Sequence, residues 1–214
     1  MKKRTKKLII SLSLFFAFII FTLLVATVGV KEIGPLNSAV GFADLNQWVH
    51  SLTGVNMTLY MLTDWLGLVP VAVALRFALI GFCQWIKRKK IFKVDRDIFA
   101  LGVFYLAVIA AYVLFEFIAL NYRPVLIDGE LEASYPSSTT LLAVCVVATA
   151  IMQIKIRIKN RLLRYILSVI CIVFIAFTVI ARLLSGVHWI TDIIGSLILS
   201  FGFIMLYSTA CEEK

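Results

Sequence analysis

Six apolar runs, each long enough to cross a bilayer as a helix, constrain this chain more than any other feature. They cover about residues 8–30, 58–86, 97–119, 137–154, 164–182 and 189–210. Roughly 20 helical residues cross the hydrocarbon layer. Inside lipid the backbone must satisfy its own hydrogen bonds, so a span is a helix or part of a closed barrel. The runs are continuous rather than alternating, which selects helices. The expected fold is all-α, a bundle of six transmembrane helices. No linker of soluble-domain size and no repeat divides it, so residues 1–214 read as one integral membrane domain. The composition agrees: 62% of the residues are hydrophobic and 15% charged, where a soluble domain carries about 25% charge.

The charges between the runs orient them. Lys2, Lys3, Arg4, Lys6 and Lys7 precede the first run. Six basic residues lie in KRKKIFKVDR and five in KIRIKNRLLR. The alternate loops carry only Lys31, Arg123 and Arg182. The positive-inside bias puts both termini in the cytoplasm and loops 31–57, 120–136 and 183–188 outside. The first run is too long for the core of a cleaved signal peptide, and further spans follow it, so it reads as a retained anchor. The net charge of +9 is accounted for by these blocks. No basic surface alternates with stacking aromatics, so nucleic acid is not an expected partner. Cys83, Cys145, Cys171 and Cys211 lie in or beside apolar runs without metal or redox spacing, and read as small core residues.

In the first outer loop, Val40, Leu45, Trp48, Val49 and Leu52 can share one side, with Asp44, Asn46, Gln47 and Ser51 elsewhere. That pattern predicts a helix lying on the membrane with Trp48 at headgroup depth. A short packed loop is the alternative.

Polar groups at membrane depth are costly and mark function. The loop NYRPVLIDGELEASYPSSTT holds Arg123, Ser137, Ser138 and Thr139; ARLLSGVHWITD holds Arg182, His188 and Asp192. His188 and Asp192 are four apart, on one face of a helix. A carboxylate beside an imidazole fixes its tautomer and orientation. Two arginines can clamp a phosphate. Hydroxyls and free N–H groups at a helix start favour an anion. Taken singly, each has a plainer reading: a helix cap, a structural hydrogen bond or half a metal site, a snorkelling arginine. Together they point to a phosphate at the outer face. Asp64, Arg76 and Glu116 lie within runs, which keeps a transporter as a further reading.

These residues resemble the motifs of the type 2 phosphatidic acid phosphatase superfamily, the membrane lipid phosphate phosphatases. Its motifs are Lys-x6-Arg-Pro, Pro-Ser-Gly-His and Ser-Arg-x5-His-x3-Asp. The third is matched by Arg182, His188 and Asp192 at full spacing, with Ala181 in place of serine. The first is matched at Arg123-Pro124 and the second at Pro136-Ser137. The resemblance implies a phosphatase that needs no metal or other cofactor. His188 would attack phosphorus, Asp192 would orient it, and Arg123, Arg182, Ser137, Ser138 and Thr139 would hold the phosphoryl group. The expected substrate is a membrane lipid phosphate or a polyprenyl diphosphate, and the expected location is a bacterial plasma membrane with the site facing outward. Two positions depart from the pattern: Glu116 stands where the lysine is expected, and Thr139 where the histidine that protonates the leaving group is expected. Three consequences stay open. Another acid acts, from Asp128, Glu130, Glu132 or Tyr135; the substrate is a diphosphate that needs little acid help; or the chain binds lipid phosphates with weak or no catalysis.

Overall fold

The computed structural model describes residues 2–212, with the side chain of Lys2 left aside. The described residues form eight α-helices: α1 (Lys2–Thr27), α2 (Ala43–Thr53), α3 (Met57–Leu66), α4 (Leu68–Arg88), α5 (Arg96–Ile118), α6 (Ser138–Arg157), α7 (Arg161–Leu184) and α8 (Ile190–Cys211). Among the described residues, six helical stretches are long and apolar enough to span a membrane, α3 and α4 together making the second. The fold is the expected six-span bundle. Across its outside, large apolar side chains such as Phe16, Leu79, Leu106 and Val173 are exposed. That much exposed apolar surface belongs in lipid.

The boundaries follow local chemistry. Gly29, at φ +57°, stops α1 before residue 30, where the apolar run alone had placed the end. Asn56 and Asn160 cap α3 and α7 by accepting the N–H of Leu59 and Leu163 at 2.9 and 3.0 Å. Pro70 has no N–H to give to the carbonyl of Leu66, and the long second span breaks there into α3 and α4. As a result α3 packs on α7 while α4 packs on α5 and α6.

α6 and α8 have the most deeply buried spans, with α8 running along α1 and α6. Phe18, Leu101, Phe104, Val108, Leu141, Cys145, Leu199, Phe203 and Tyr207 form the buried core. Cys145 is buried as expected, but Cys83 is exposed on α4 and is not a core residue.

Residues 31–56 are built partly as expected. α2 forms, and Leu45, Trp48 and Leu52 are exposed on it at 43%, 61% and 68%. Val40 does not join that face. It is buried in a two-stranded antiparallel hairpin of β1 (Lys31–Glu32) and β2 (Ala39–Val40). Asn46, on the polar side of α2, is fully buried and bonds the carbonyl of Gly41 at 2.7 Å and Thr191 Oγ1 at 3.0 Å. α2 is thereby fixed to the first turn of α8.

Candidate active site

The loops 119–137 and 185–189 meet at one end of the bundle, and α3 closes over them. Arg182 lies in the last turn of α7 with a side chain only 1% exposed. Its Nη2 stands 3.4 Å from His188 Nε2. Its Nη1 donates to Thr63 Oγ1 at 3.2 Å and stands 4.0 Å from Asp64 Oδ1. Arg123, 11% exposed in its side chain, pairs with Glu132 at 3.0 Å. Both guanidinium groups lie over the ring of Tyr60, Arg182 at 5.0 Å and Arg123 at 5.7 Å from its centroid. Such contacts are attractive because the ring face carries negative charge. Tyr60 thus holds two like charges side by side.

Several donors in this cluster are unspent. Arg123 Nε and Nη1 and Arg182 Nε are buried and have no hydrogen-bond partner among the described residues. Leaving a buried charged donor unpaired costs more than the roughly 1–3 kcal/mol of a neutral one. An anion between the arginines would recover that cost.

His188 is 3% exposed and lies in the turn before α8. Burial, then the charges of Arg182 and Arg123, hold its pKa well below the ordinary imidazole value, although the Ser134 carbonyl works the other way. The ring is therefore neutral near pH 7. A guanidinium can only donate, so Nε2 facing Arg182 is the unprotonated nitrogen and Nδ1 carries the proton. Nδ1 stands 3.5 Å from Asp192 Oδ2. Asp192 is fully buried; the same oxygen accepts the Trp189 N–H at 2.9 Å, and Ser134 and Asn121 lie beside the carboxylate. The His–Asp contact is long for a hydrogen bond, as such contacts often are before substrate tightens them.

The turn carrying His188 is clamped from several sides. Asn56 donates its N–H to the Ser185 carbonyl at 2.9 Å, and His50 Nε2 donates to the Gly186 carbonyl at 3.1 Å. Gly186 has φ +67°, and a Cβ there would meet the Gly54 carbonyl oxygen at 1.8 Å, so only glycine fits. Trp189 Nε1 donates to the Tyr122 carbonyl at 2.7 Å, joining this turn to the residue before Arg123.

Ser137 is the residue before α6, and Ser138 and Thr139 begin it. Ser137 is fully buried. Its N–H reaches the Asp192 carbonyl at 3.3 Å, its carbonyl accepts from Ser196 Oγ at 2.9 Å, and its hydroxyl donates to Thr140 Oγ1 at 3.1 Å. Ser138 and Thr139 are half-buried at the helix start, where the first N–H groups have no intrahelical acceptor. Ser137 therefore stitches α6 to α8, and its hydroxyl is turned to its own helix.

The structure brings Arg123, Arg182, His188 and Asp192 into one cluster. Of the four alternative acids, Glu132 joins it. Asp128 and Glu130 are exposed at the tip of the turn. Tyr135 points the other way: it is 1% exposed among Phe18, Phe21 and Phe115, with its hydroxyl on Thr22 at 2.8 Å. Burial raises its pKa, so it is a core residue rather than an acid of the site. Glu116 is exposed near the end of α5. The sequence reading missed Tyr60 and Thr63, and placed Asp64 in a span rather than in this cluster. All three share one face of α3, at positions i, i+3 and i+4. Among the described residues, no group of three His, Cys, Asp or Glu converges as a metal-ligand set.

No curated protein matches this sequence. A solved structure described as a transmembrane PAP2-type phosphatidylglycerolphosphate phosphatase from Bacillus subtilis is similar in fold. It has a TM-score of 0.55 at 18% identity, over 92% of this chain and 94% of that one. The family model for the PAP2 superfamily matches residues 3–213, nearly the whole chain. With six membrane-crossing helices and the arginine–histidine cluster between their ends, this chain belongs to the PAP2 superfamily.

Proposed function

We propose that this chain is a membrane lipid phosphatase, one domain over residues 1–214, acting at the outer face of a bacterial plasma membrane. It removes a phosphate from a lipid phosphate or a polyprenyl diphosphate, without a metal or other cofactor. The observation that carries this reading is the contact of Arg182 with His188, beside buried arginine donors that have no acceptor among the described residues. The basic blocks at the other end of the bundle support the outward direction.

In this reading the phosphoryl group sits between Arg123 and Arg182, with the first N–H groups of α6 toward its oxygens. The neutral Nε2 of His188 attacks phosphorus in line, and the bond to the leaving oxygen breaks. Charge passes to Nδ1–H, which Asp192 steadies. Water then displaces Nε2 and releases phosphate. The protein contributes mainly position and fixed positive charge, as phosphoryl transfer requires. Lipid is the only partner this chemistry needs.

A second reading has a specific observation behind it. Thr139 stands at the leaving-group position of the motif and Glu116 at its lysine position. A lipid-phosphate-binding protein with weak or no catalysis would tolerate both. The purified protein offered phosphatidic acid, phosphatidylglycerol phosphate and farnesyl diphosphate separates the two. Phosphate release that disappears in His188→Ala supports the phosphatase. Binding without turnover on any of the three, unchanged in that variant, supports the binding protein and contradicts the enzyme.

A further inference from the structure

An alkoxide is a poor leaving group, so cleavage of a phosphate monoester calls for an acid at the leaving oxygen, worth about 10²–10⁴-fold. The chain has two imidazoles. His188 is the attacking one, and His50 spends its Nε2–H on the Gly186 carbonyl. Thr139 cannot give up a proton near neutral pH. Tyr60 offers its ring face, not its hydroxyl, to the two guanidinium groups, and three carboxyls lie in the cluster as stronger acids: Asp192, Glu132 and Asp64. Asp192 is on the Nδ1 side of His188, behind the attacking atom. Glu132 is tied to Arg123 at 3.0 Å.

Asp64 differs from both. Arg182 touches His188 Nε2 with Nη2 and faces Asp64 with Nη1. The nucleophile and Asp64 therefore stand at the two ends of one guanidinium. In-line transfer places the attacking and leaving atoms on opposite sides of phosphorus. A phosphoryl group lying along Arg182 would present its leaving oxygen toward Asp64. No side-chain hydrogen bond holds Asp64 among the described residues, its contact with Arg182 is a loose 4.0 Å, and its side chain is 62% exposed to exchange protons with water.

Depth agrees. The 21 residues of α4 rise about 31 Å, enough to cross a hydrocarbon layer of about 30 Å alone. α3, beyond the break before Pro70, is then not needed for the crossing and is free to lie at headgroup level, where the phosphorus of a lipid substrate lies.

We propose that Asp64 is the leaving-group acid of this chain, and so decides whether a phosphate monoester is cleaved as well as a diphosphate. This rests on the proposed function above. In the first step Asp64, carrying the proton that a substrate monoanion brings, gives it to the leaving oxygen as the P–O bond breaks and the P–N bond to His188 forms. The products are the lipid alcohol, the Asp64 carboxylate and phosphohistidine. In the second step the carboxylate takes a proton from the water whose oxygen displaces Nε2. That restores the acid and frees phosphate.

The test compares two substrates on the full-length protein in detergent: dioctanoyl phosphatidic acid, which leaves as an alkoxide, and farnesyl diphosphate, which leaves as a stable phosphate. Asp64→Asn is expected to lower kcat on the first by about 10²–10⁴-fold. On the second it lowers kcat by no more than about 10-fold, which also shows that the variant folds. Asp64→Glu is expected to regain part of the loss. Equal losses on both substrates, no loss on phosphatidic acid, or a wild type that cleaves only the diphosphate would each overturn the assignment. Glu132→Gln reproducing the selective loss would move the role to Glu132. His188→Ala is run alongside: abolished turnover keeps the phosphohistidine reading whatever Asp64 does, and full turnover in that variant overturns both.

Discussion

Arg182 Nη2 and His188 Nε2 are 3.4 Å apart, so a group able to hold a phosphoryl oxygen touches the atom able to attack phosphorus. The flat fork of arginine supplies two aligned donors there, which an ammonium cannot. Arg182→Lys is expected to lower kcat/KM by roughly 10- to 150-fold, the equivalent of losing about 1.5–3 kcal/mol of charged hydrogen bonding. Arg123→Lys should act in the same direction, mostly through KM. Steady-state kinetics on farnesyl diphosphate check this, and wild-type values in both variants would remove the arginines from the site.

Asp192 sits behind His188 at 3.5 Å and is pinned by the Trp189 N–H at 2.9 Å. In the proposed mechanism its work is to keep the proton on Nδ1, leaving Nε2 free. Asp192→Asn preserves the shape and loses that preference. The expected cost is about 10⁴-fold in kcat with little change in KM. A loss confined to KM would show that Asp192 binds substrate and does not orient the imidazole.

Tyr60 supports both guanidinium groups with its ring face. Tyr60→Phe keeps the ring and should stay within about 3-fold of wild type in KM for farnesyl diphosphate. Tyr60→Leu loses two contacts worth about 0.5–1 kcal/mol each. It should therefore raise KM by roughly 5- to 30-fold. Equal effects of the two variants would mean that the hydroxyl, and not the ring, is what matters.

His188 also links stability to pH. The ordinary imidazole pKa, about 6.5, applies to the unfolded chain, and the folded value lies well below it. Between the two the unfolded chain binds more protons, so stability rises with pH up to about 6.5 and falls as pH drops beneath it. The slope from this one group is at most about 1.4 kcal/mol per pH unit. Thermal unfolding in detergent between pH 5 and 7.5 should fall more steeply at the acid end for wild type than for His188→Gln. Parallel curves would mean that His188 is not held neutral by the fold.

The fold and the site were legible to different depths. Membrane spans are written as continuous apolar runs, so all six could be read along the chain. The break before Pro70 changed the use of one of them, and only the three-dimensional path of α3 shows that. His188, Asp192 and Arg182 could be found because they lie within eleven residues, although His188 meets Asp192 from the turn before α8 and not from the helix face that their spacing suggested. Tyr60, Thr63 and Asp64 lie about 120 residues earlier, and nothing local ties a tyrosine and a threonine in an apolar run to a distant arginine. Tyr135 misled for the opposite reason. It is adjacent in sequence to Pro136 and Ser137, yet its side chain packs against α1. Adjacency along a loop does not say which side of the backbone faces the site.

The central claim is a covalent phosphate on His188. The purified protein is mixed with farnesyl diphosphate labelled in its terminal phosphate, quenched within milliseconds at alkaline pH, where a phosphorus–nitrogen bond survives, and digested. The account predicts label on the peptide that contains His188, none in His188→Ala, and loss of phosphate release in that variant. Turnover in wild type with no labelled His188, or phosphate release preserved in His188→Ala, would contradict it.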